Sequence, residues 1–338
     1  MKSSYISSFK PAENYRNAKK YWLAFFLAFA VSLFCLESLN RYFIVHKSKP
    51  YLTWYEFETQ KREVKILLLG DSHFWRGVDA GKFKPNTFNL SIPNASYISS
   101  YYLLKQSIDD MPILKAVVIP VDLHSFSSYR LEDSTQSIFW DRFVDYHELS
   151  GVSGHPIIKN PLKLTLVHDE FGKASFINNI KESLRKIFQP EHASLNKMLN
   201  QAYLGENPKE QTGQDEKARQ KVNQQLEGFR AMDPVVLAYF EKILLLCKEK
   251  NIRVITVQMP LSDHYIRHAE KFISKNNISD LLNSPDIKPY LFKNLNHMEL
   301  YAGRDDYFSW AWRDGDHLNS EGKERFSELL ASELSKAV

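Results

Sequence analysis

Apolar runs too short to be buried helices recur along this chain, bounded by turn residues and separated by stretches of helical periodicity. That alternation is the strongest constraint on its fold. "VKILLLG" (residues 64–70), "NTFNLS" (86–91), "KAVVIPVD" (115–122) and "IRVITVQMP" (252–260) read as strands. Helical patterns fill "SYISSYYLLKQSIDD" (96–110), "PVVLAYFEKILLLCKEKN" (234–251) and the closing "SEGKERFSELLASELSKAV" (320–338), with Ser320 as the expected cap. Strands alternating with helices make βαβ units, so an α/β fold with a mainly parallel sheet is expected. In such sheets ligands bind at the carboxyl ends of the strands.

The alternation lapses between residues 125 and 230, which hold scattered aromatics (Phe139, Trp140, Phe143, Tyr146) and a polar run, "GENPKEQTGQDEKARQKVNQQ", expected to be a solvated loop or helix. Residues 127–230 therefore read as an insertion in one domain spanning 63–338. Placed after a strand's carboxyl end, such an insertion is either a lid over the site or packing material. No internal repeat is visible.

From Tyr21 to Leu36 every residue but Ser32 is apolar or aromatic, and the pattern resumes weakly in "RYFIV" (41–45). A bilayer needs about 20 such residues, so residues 21–42 are the expected transmembrane anchor, after a tail at 1–20 and before a polar and aromatic connector at 43–62. Lys2, Lys10, Arg16, Lys19 and Lys20 precede the span, whereas Arg41, Lys47 and Lys49 follow it. The excess favours an amino end in the cytoplasm and a globular part in the periplasm or cell exterior. A cleavable signal peptide is the rival, but no small-x-small site follows the apolar stretch.

With 43% hydrophobic and 25% charged residues the chain has the composition of a folded protein with a core. Its net charge of +4 is small, and its 44 basic residues are spread along the sequence, which argues against nucleic acid as a partner. Two cysteines, Cys35 and Cys247, cannot build a disulfide framework or a cysteine-rich metal site.

The first strand ends in Gly70, Asp71 and Ser72. The simplest account is a strand-to-helix turn with a capping side chain. Near the other end, "WRDGDHLNSEGKERF" (312–326) sets His317 just before the last helix, with Asp314 three residues upstream. A serine hydroxyl is a weak nucleophile until a neutral imidazole accepts its proton, and the imidazole needs a carboxylate to fix its tautomer. Asp314 and His317 meet the second need locally, and Ser72 supplies the nucleophile if the two loops meet above the sheet. Asp316 lies on the same loop and is the alternative to Asp314. His73 adjoins Ser72 and should point away from it, toward the pocket rim. His264 and His268, four residues apart, have the spacing of metal ligands, but a solvated helix face explains them as well. Trp310 and Trp312 are placed either to stack on a sugar ring or to pack a wall.

On these blocks the chain resembles the SGNH or GDSL hydrolase superfamily, with Gly-Asp-Ser after the first strand and Asp-x-x-His before the final helix. The resemblance covers about residues 64–126 and 234–337, leaving out the anchor and the insertion. Within it the chain is most similar to membrane-anchored bacterial envelope proteins, such as the D-alanyl transfer protein of teichoic acids and SGNH proteins of exopolysaccharide acetylation, through "GDSHFWRGVD", "FNLSIPNASY", "VVIPVDLHSF", "VITVQMPLSDHY" and "DGDHLNSEG". It implies a flavodoxin-like three-layer sandwich, with Ser72 as nucleophile, His317 as base and Asp314 as its orienter. The superfamily's oxyanion donors are a glycine N–H and an asparagine side chain, where this chain has Asn94 and Asp122. The Ser72 N–H and the Asn94 amide are then the expected donors, and His73, Asp122 and Trp312 the expected substrate contacts. A carboxylate at 122 would repel the developing charge.

Two functions follow from the resemblance. One is a membrane-anchored serine esterase or O-acyltransferase acting on acyl, chiefly acetyl, esters of a cell-envelope polysaccharide through an acyl-serine intermediate, with no metal or organic cofactor required. The other is a weak or inactive scaffold partner of a membrane-bound O-acyltransferase.

Overall fold

The computed structural model describes residues 11–40, 49–83, 86–93, 95–131, 213–310 and 315–337. Five parallel strands form one sheet in the order β2-β1-β3-β4-β5: β1 (Ile66–Leu68), β2 (Thr87–Asn89), β3 (Ala116–Pro120), β4 (Arg253–Gln258) and β5 (Lys293–Asn296). The helices are α1 (Pro11–Asn40), α2 (Lys49–Gln60), α3 (Ser72–Gly77), α4 (Tyr97–Ser107), α5 (Gln214–Leu226), α6 (Pro234–Glu249), α7 (Asp263–Ala269), α8 (Lys275–Leu282) and α9 (Ser320–Ala337). The expected α/β architecture with a parallel sheet is present. The chain steps from β1 outward to β2 and then back across to β3, so the winding direction reverses between β1 and β3. Right-handed crossovers then send α3 to one face of the sheet and α4 and α6 to the other. The crevice at that reversal is where an open α/β sheet binds ligands.

Burial explains which strands the sequence announces. Every residue of β3 is buried, because β1 and β4 flank it and helices cover it. β5, which the apolar pattern did not reveal, lies at the sheet edge and turns only Leu295 inward. On α6, Val236, Tyr239, Phe240, Ile243, Leu244 and Cys247 form one buried stripe at helical spacing. Asp233 starts that helix by accepting the N–H groups of Val235 and Val236, with Pro234 at the first turn. Phe240 meets Tyr97 of α4 and Phe126 at ring separations of 5.0 and 5.4 Å. Each such buried side chain contributes about 1.5–3 kcal/mol.

Three local expectations change. The connector at 43–62 contains α2, whose Phe57 is fully buried against Phe88, so part of it belongs to the core. The last helix is capped by Asn319, whose Oδ1 accepts the Gly322 N–H at 2.9 Å, while Ser320 is already the first helical residue. The polar run is helical from Gln214 in α5, which buries Ala218, Val222, Gln225 and Leu226 and packs on α7 instead of being solvated all round; residues 205–212 of the run lie outside the described residues. Residues 132–212 of the insertion lie outside the described residues.

Helix α1 carries a mostly apolar stretch, Ala18–Leu36, with none of it buried, long enough and apolar enough to cross a membrane.

Candidate functional site

The glycine that ends the first apolar run is there because β1 and β3 converge at their carboxyl ends. A Cβ on Gly70 would stand 2.5 Å from the ring carbons of Pro120. Asp71 then caps α3, accepting the His73 N–H at 2.9 Å. The capping account of this turn is therefore correct for Asp71, and it leaves Ser72 free for another task. Ser72 opens the helix half-buried, facing the loop that precedes α9.

That loop is pinned from several sides. Gly315 has φ of +122°, a backbone state disfavoured for L side chains, and a Cβ on it would come within 2.8 Å of the Trp310 ring. Its carbonyl accepts the Ser262 hydroxyl at 2.7 Å. The His317 carbonyl accepts the Ser309 N–H at 2.9 Å, and Phe308 pairs with Leu318 across an isolated bridge. The His317 ring is thereby held with Nε2 2.9 Å from Ser72 Oγ, within reach of the hydroxyl proton. Ser72 and His317, 245 positions apart, are in proton-transfer contact.

The carboxylate behind the imidazole is Asp316. Its Oδ1 lies 2.8 Å from His317 Nδ1, close enough for an ion pair although not aligned as a hydrogen bond. The expected orienter, Asp314, lies outside the described residues, as do Trp312 and Asn94. The other Asp316 oxygen, Oδ2, accepts the Gln225 amide N–H at 2.9 Å, meets His73 Nε2 at 3.4 Å and has the Lys221 ammonium at 3.8 Å. Gln225 is itself oriented, because its Oε1 accepts the Tyr265 hydroxyl at 2.5 Å. Burial pushes the Asp316 carboxyl up, but the charges of Lys221 and His317 and the contacts of His317 and His73 outweigh it and hold the group well below the usual carboxylate range. Asp316 is ionised at neutral pH.

Two expected substrate contacts lie elsewhere. His73 is 2% exposed, so it is buried beneath the site instead of lining its rim. Successive residues of a helix diverge by about 100°, which turns His73 inward when Ser72 faces the loop. Asp122 is 1% exposed and likewise buried. Its Oδ1 accepts the Met259 N–H at 2.7 Å, and its Oδ2 lies 2.8 Å from His73 Nδ1. The charge that would have opposed an oxyanion is therefore matched inside the protein. Burial lifts the Asp122 carboxyl, with His73 opposing.

Behind Asp71 lies a second set of buried polar groups. Arg130 forms an ion pair with Asp71, and His124 Nε2 approaches the same carboxylate at 3.7 Å. Burial raises the Asp71 carboxyl, but the charges of Arg130 and His73 and the His124 contact together outweigh it and hold the group well below the usual range. Burial and the Arg130 charge push His124 down to about 3, so it is neutral. A small recess lined by Gly70, Asp71, Ser96, Tyr97, Pro120 and Arg130 lies on this side, away from the Ser72 hydroxyl.

His73, Asp316 and His317 bring one possible metal-ligating atom each within 4.8 Å of one another. Those atoms already serve one another, and Asp316 Oδ2 also takes the Gln225 N–H and the Lys221 charge, which makes a poor cation cage. His264 and His268 do share a face of α7, but they meet Asp215 of α5 at 3.1 and 3.0 Å, and His268 is buried. They tie two helices together and do not form a solvated face. Trp310 is 6% exposed and donates its Nε1–H to the Asp305 carbonyl at 3.0 Å, a packing role.

Sequence reasoning missed Gln225, Tyr265, Lys221, His124 and Arg130. Only the "VDLH" block hinted at one of them, since Asp122 and His124 leave the same strand end. No protein-family model matches the chain, and no curated protein matches it.

Proposed function

We propose that this protein is a membrane-anchored, extracytoplasmic serine esterase or O-acyltransferase of SGNH type, acting on acyl esters of a cell-envelope polymer. The observation that carries the reading is the 2.9 Å contact between Ser72 Oγ and His317 Nε2. His317 takes the hydroxyl proton as Oγ attacks the acyl carbonyl, and Asp316 stabilises the imidazolium that forms. The leaving hydroxyl takes that proton and departs, which leaves an acyl-serine. His317 next activates water or a polymer hydroxyl, which releases the acyl group and restores Ser72. The Ser72 N–H and the Asn94 side chain are the proposed oxyanion donors, each worth about 3 kcal/mol at the transition state. The position of the pair at the sheet's winding reversal, the motif resemblance and the inward-facing Asp122 support the same reading. The apolar α1 stretch, preceded by an excess of basic residues, supports an anchor with the amino end inside. A membrane-bound O-acyltransferase is the proposed partner.

The test uses the full-length chain in detergent micelles, treated with a fluorophosphonate probe and, separately, a chromogenic acetyl ester. The wild type becomes labelled and hydrolyses the ester, whereas Ser72→Ala does neither. Equal labelling of both proteins, or of neither, overturns the enzymatic reading and leaves the cleft as a scaffold.

A further inference from the structure

Both ring nitrogens of His73 face carboxylates. Nδ1 lies 2.8 Å from Asp122 Oδ2, an ion-pair distance although not aligned as a hydrogen bond, Nε2 lies 3.4 Å from Asp316 Oδ2, and all three side chains are 1% exposed or less. A neutral imidazole carries one N–H and one lone pair, so in this setting its lone pair would confront a buried anion. A doubly protonated ring instead sets a cation between the two carboxylates. We infer that His73 is a positioning residue of the Ser72 site: a standing imidazolium clamped between Asp122 and Asp316, which holds Asp316 in place and ionised against His317. The inference rests on the serine-hydrolase reading of Ser72 and His317.

The surroundings agree from every side. From the β3 end come Asp122 and neutral His124, whose ring centroid is 4.7 Å from that of His73. The loop before α9 presents Asp316 and His317, the latter ring at 4.9 Å. Helix α5 contributes Gln225 and Lys221 on the far side of Asp316, and α7 contributes Tyr265 behind Gln225. The turn that carries His73 adds Asp71, with Arg130 beyond it. Burial opposes a charged His73, yet the charges of Asp122 and Asp71 and the contacts of Asp122 and Asp316 push it up to about 10. The result is a chain of alternating partners, Asp122, His73, Asp316, His317 and Ser72, in which the first two residues never touch substrate.

The clamp also tunes the site. A fixed cation beside Asp316 competes with His317 for that carboxylate, and it keeps Asp316 from taking up a proton itself. With the clamp removed, a protonated His317 is favoured and Asp316 protonates more readily. Both effects withdraw the base as pH falls, so the acidic limb of the rate profile moves to higher pH.

The experiment has two arms on the full-length chain in micelles. In the first, nitrogen-15 histidine spectra, with His73 assigned by its loss in His73→Gln, are followed from about pH 6 to about pH 8, where an ordinary imidazole titrates. Both His73 ring nitrogens stay protonated throughout if the inference holds, and a single-tautomer neutral ring, or a midpoint in that interval, overturns it. In the second, fluorophosphonate labelling is timed against pH for wild type, His73→Gln and His73→Gln/Asp122→Asn. The expected result is an acidic limb raised by about one unit in both variants, seen as labelling about tenfold slower near its foot. The double variant lacks the stranded Asp122 charge and covers the case in which His73→Gln does not fold. A limb that stays in place while the melting temperature falls marks His73 as merely structural and overturns the inference. Absence of labelling in the wild type counts against the hydrolase reading alone, and the ring spectra then still decide the state of His73.

Discussion

The sharpest test of the site's geometry is to neutralise each of the two aspartates on the His317 loop. Asp316→Asn removes the only described carboxylate within contact of His317 Nδ1, at 2.8 Å. With charge centres about 4 Å apart and an effective dielectric of about 20, that carboxylate is worth about 4 kcal/mol to the imidazolium formed in the transition state. The corresponding loss is about a thousandfold in rate. A wrong imidazole tautomer adds to it, so the expected fall in fluorophosphonate labelling and ester hydrolysis is about 10³ to 10⁴-fold. The same change leaves the His73 and Lys221 charges facing a neutral amide, and breaking a buried pair costs about 3 kcal/mol or more of stability. Rates must therefore be compared on folded protein, with circular dichroism melts recorded in parallel. Asp314→Asn, by contrast, should stay within a few-fold of wild type if Asp316 is the carboxylate that orients the imidazole. A folded Asp316→Asn protein within tenfold of wild type, or an Asp314→Asn protein that falls as far, would refute the assignment.

Three further outcomes concern stability. His73 is raised from 6.5 to about 10 on folding, so its contribution is fully present below the unfolded value and is lost as pH rises through about 10. Urea midpoints of wild type should decline between those limits by the equivalent of roughly 3–5 kcal/mol more than those of His73→Gln, and parallel curves would show that no such cation exists. Gly70→Ala should cost about 1–3 kcal/mol, because its Cβ would meet the Pro120 ring at 2.5 Å. Gly315→Ala should lose more, through its positive φ and the Trp310 contact, and should abolish Ser72 labelling with it. A melting temperature unchanged in either variant would contradict the packing described.

The sequence pattern disclosed what depends on long buried runs and on turn chemistry. β1, β3 and β4 announced themselves because helices cover both their faces, and Gly-Asp-Ser stood out because a tight turn follows the first of them. Edge strand β5 has one inward residue in four, below what an apolar pattern can register. Helix α5 looked solvated because its buried side includes Gln225 and sits beside the amphipathic Lys221, both of which serve a carboxylate 91 or more positions away. Of the two aspartates on the His317 loop, Asp314 lies outside the described residues, and Gly315 at φ +122° turns the backbone just before Asp316, whose carboxylate comes within 2.8 Å of the ring. For His73 the premise that it diverges from Ser72 was sound, and the missing knowledge was what lay inside. Beneath the turn are two other strand-end and loop carboxylates, which no local pattern exposes.

Those carboxylates bear on function as well as on geometry. Asp71, Asp122 and Asp316 are all buried beneath or beside one serine, and Arg130, His73 and Lys221 are their cationic partners. Buried ion pairs seldom repay the loss of hydration, and apolar residues of similar volume would commonly hold such a layer at least as well. The sheet has no shortage of apolar packing, since Leu67, Leu68, Val117 and Val118 are completely buried next to the same strand ends. A stability role therefore does not account for three anions at one point of the fold. A requirement to keep Asp316 charged and fixed behind His317 does, because each additional anion serves to hold a cation, and each cation helps hold an oxygen. By this logic the buried residues beneath the turn are the ones that make a half-buried serine and a loop histidine into a defined pair.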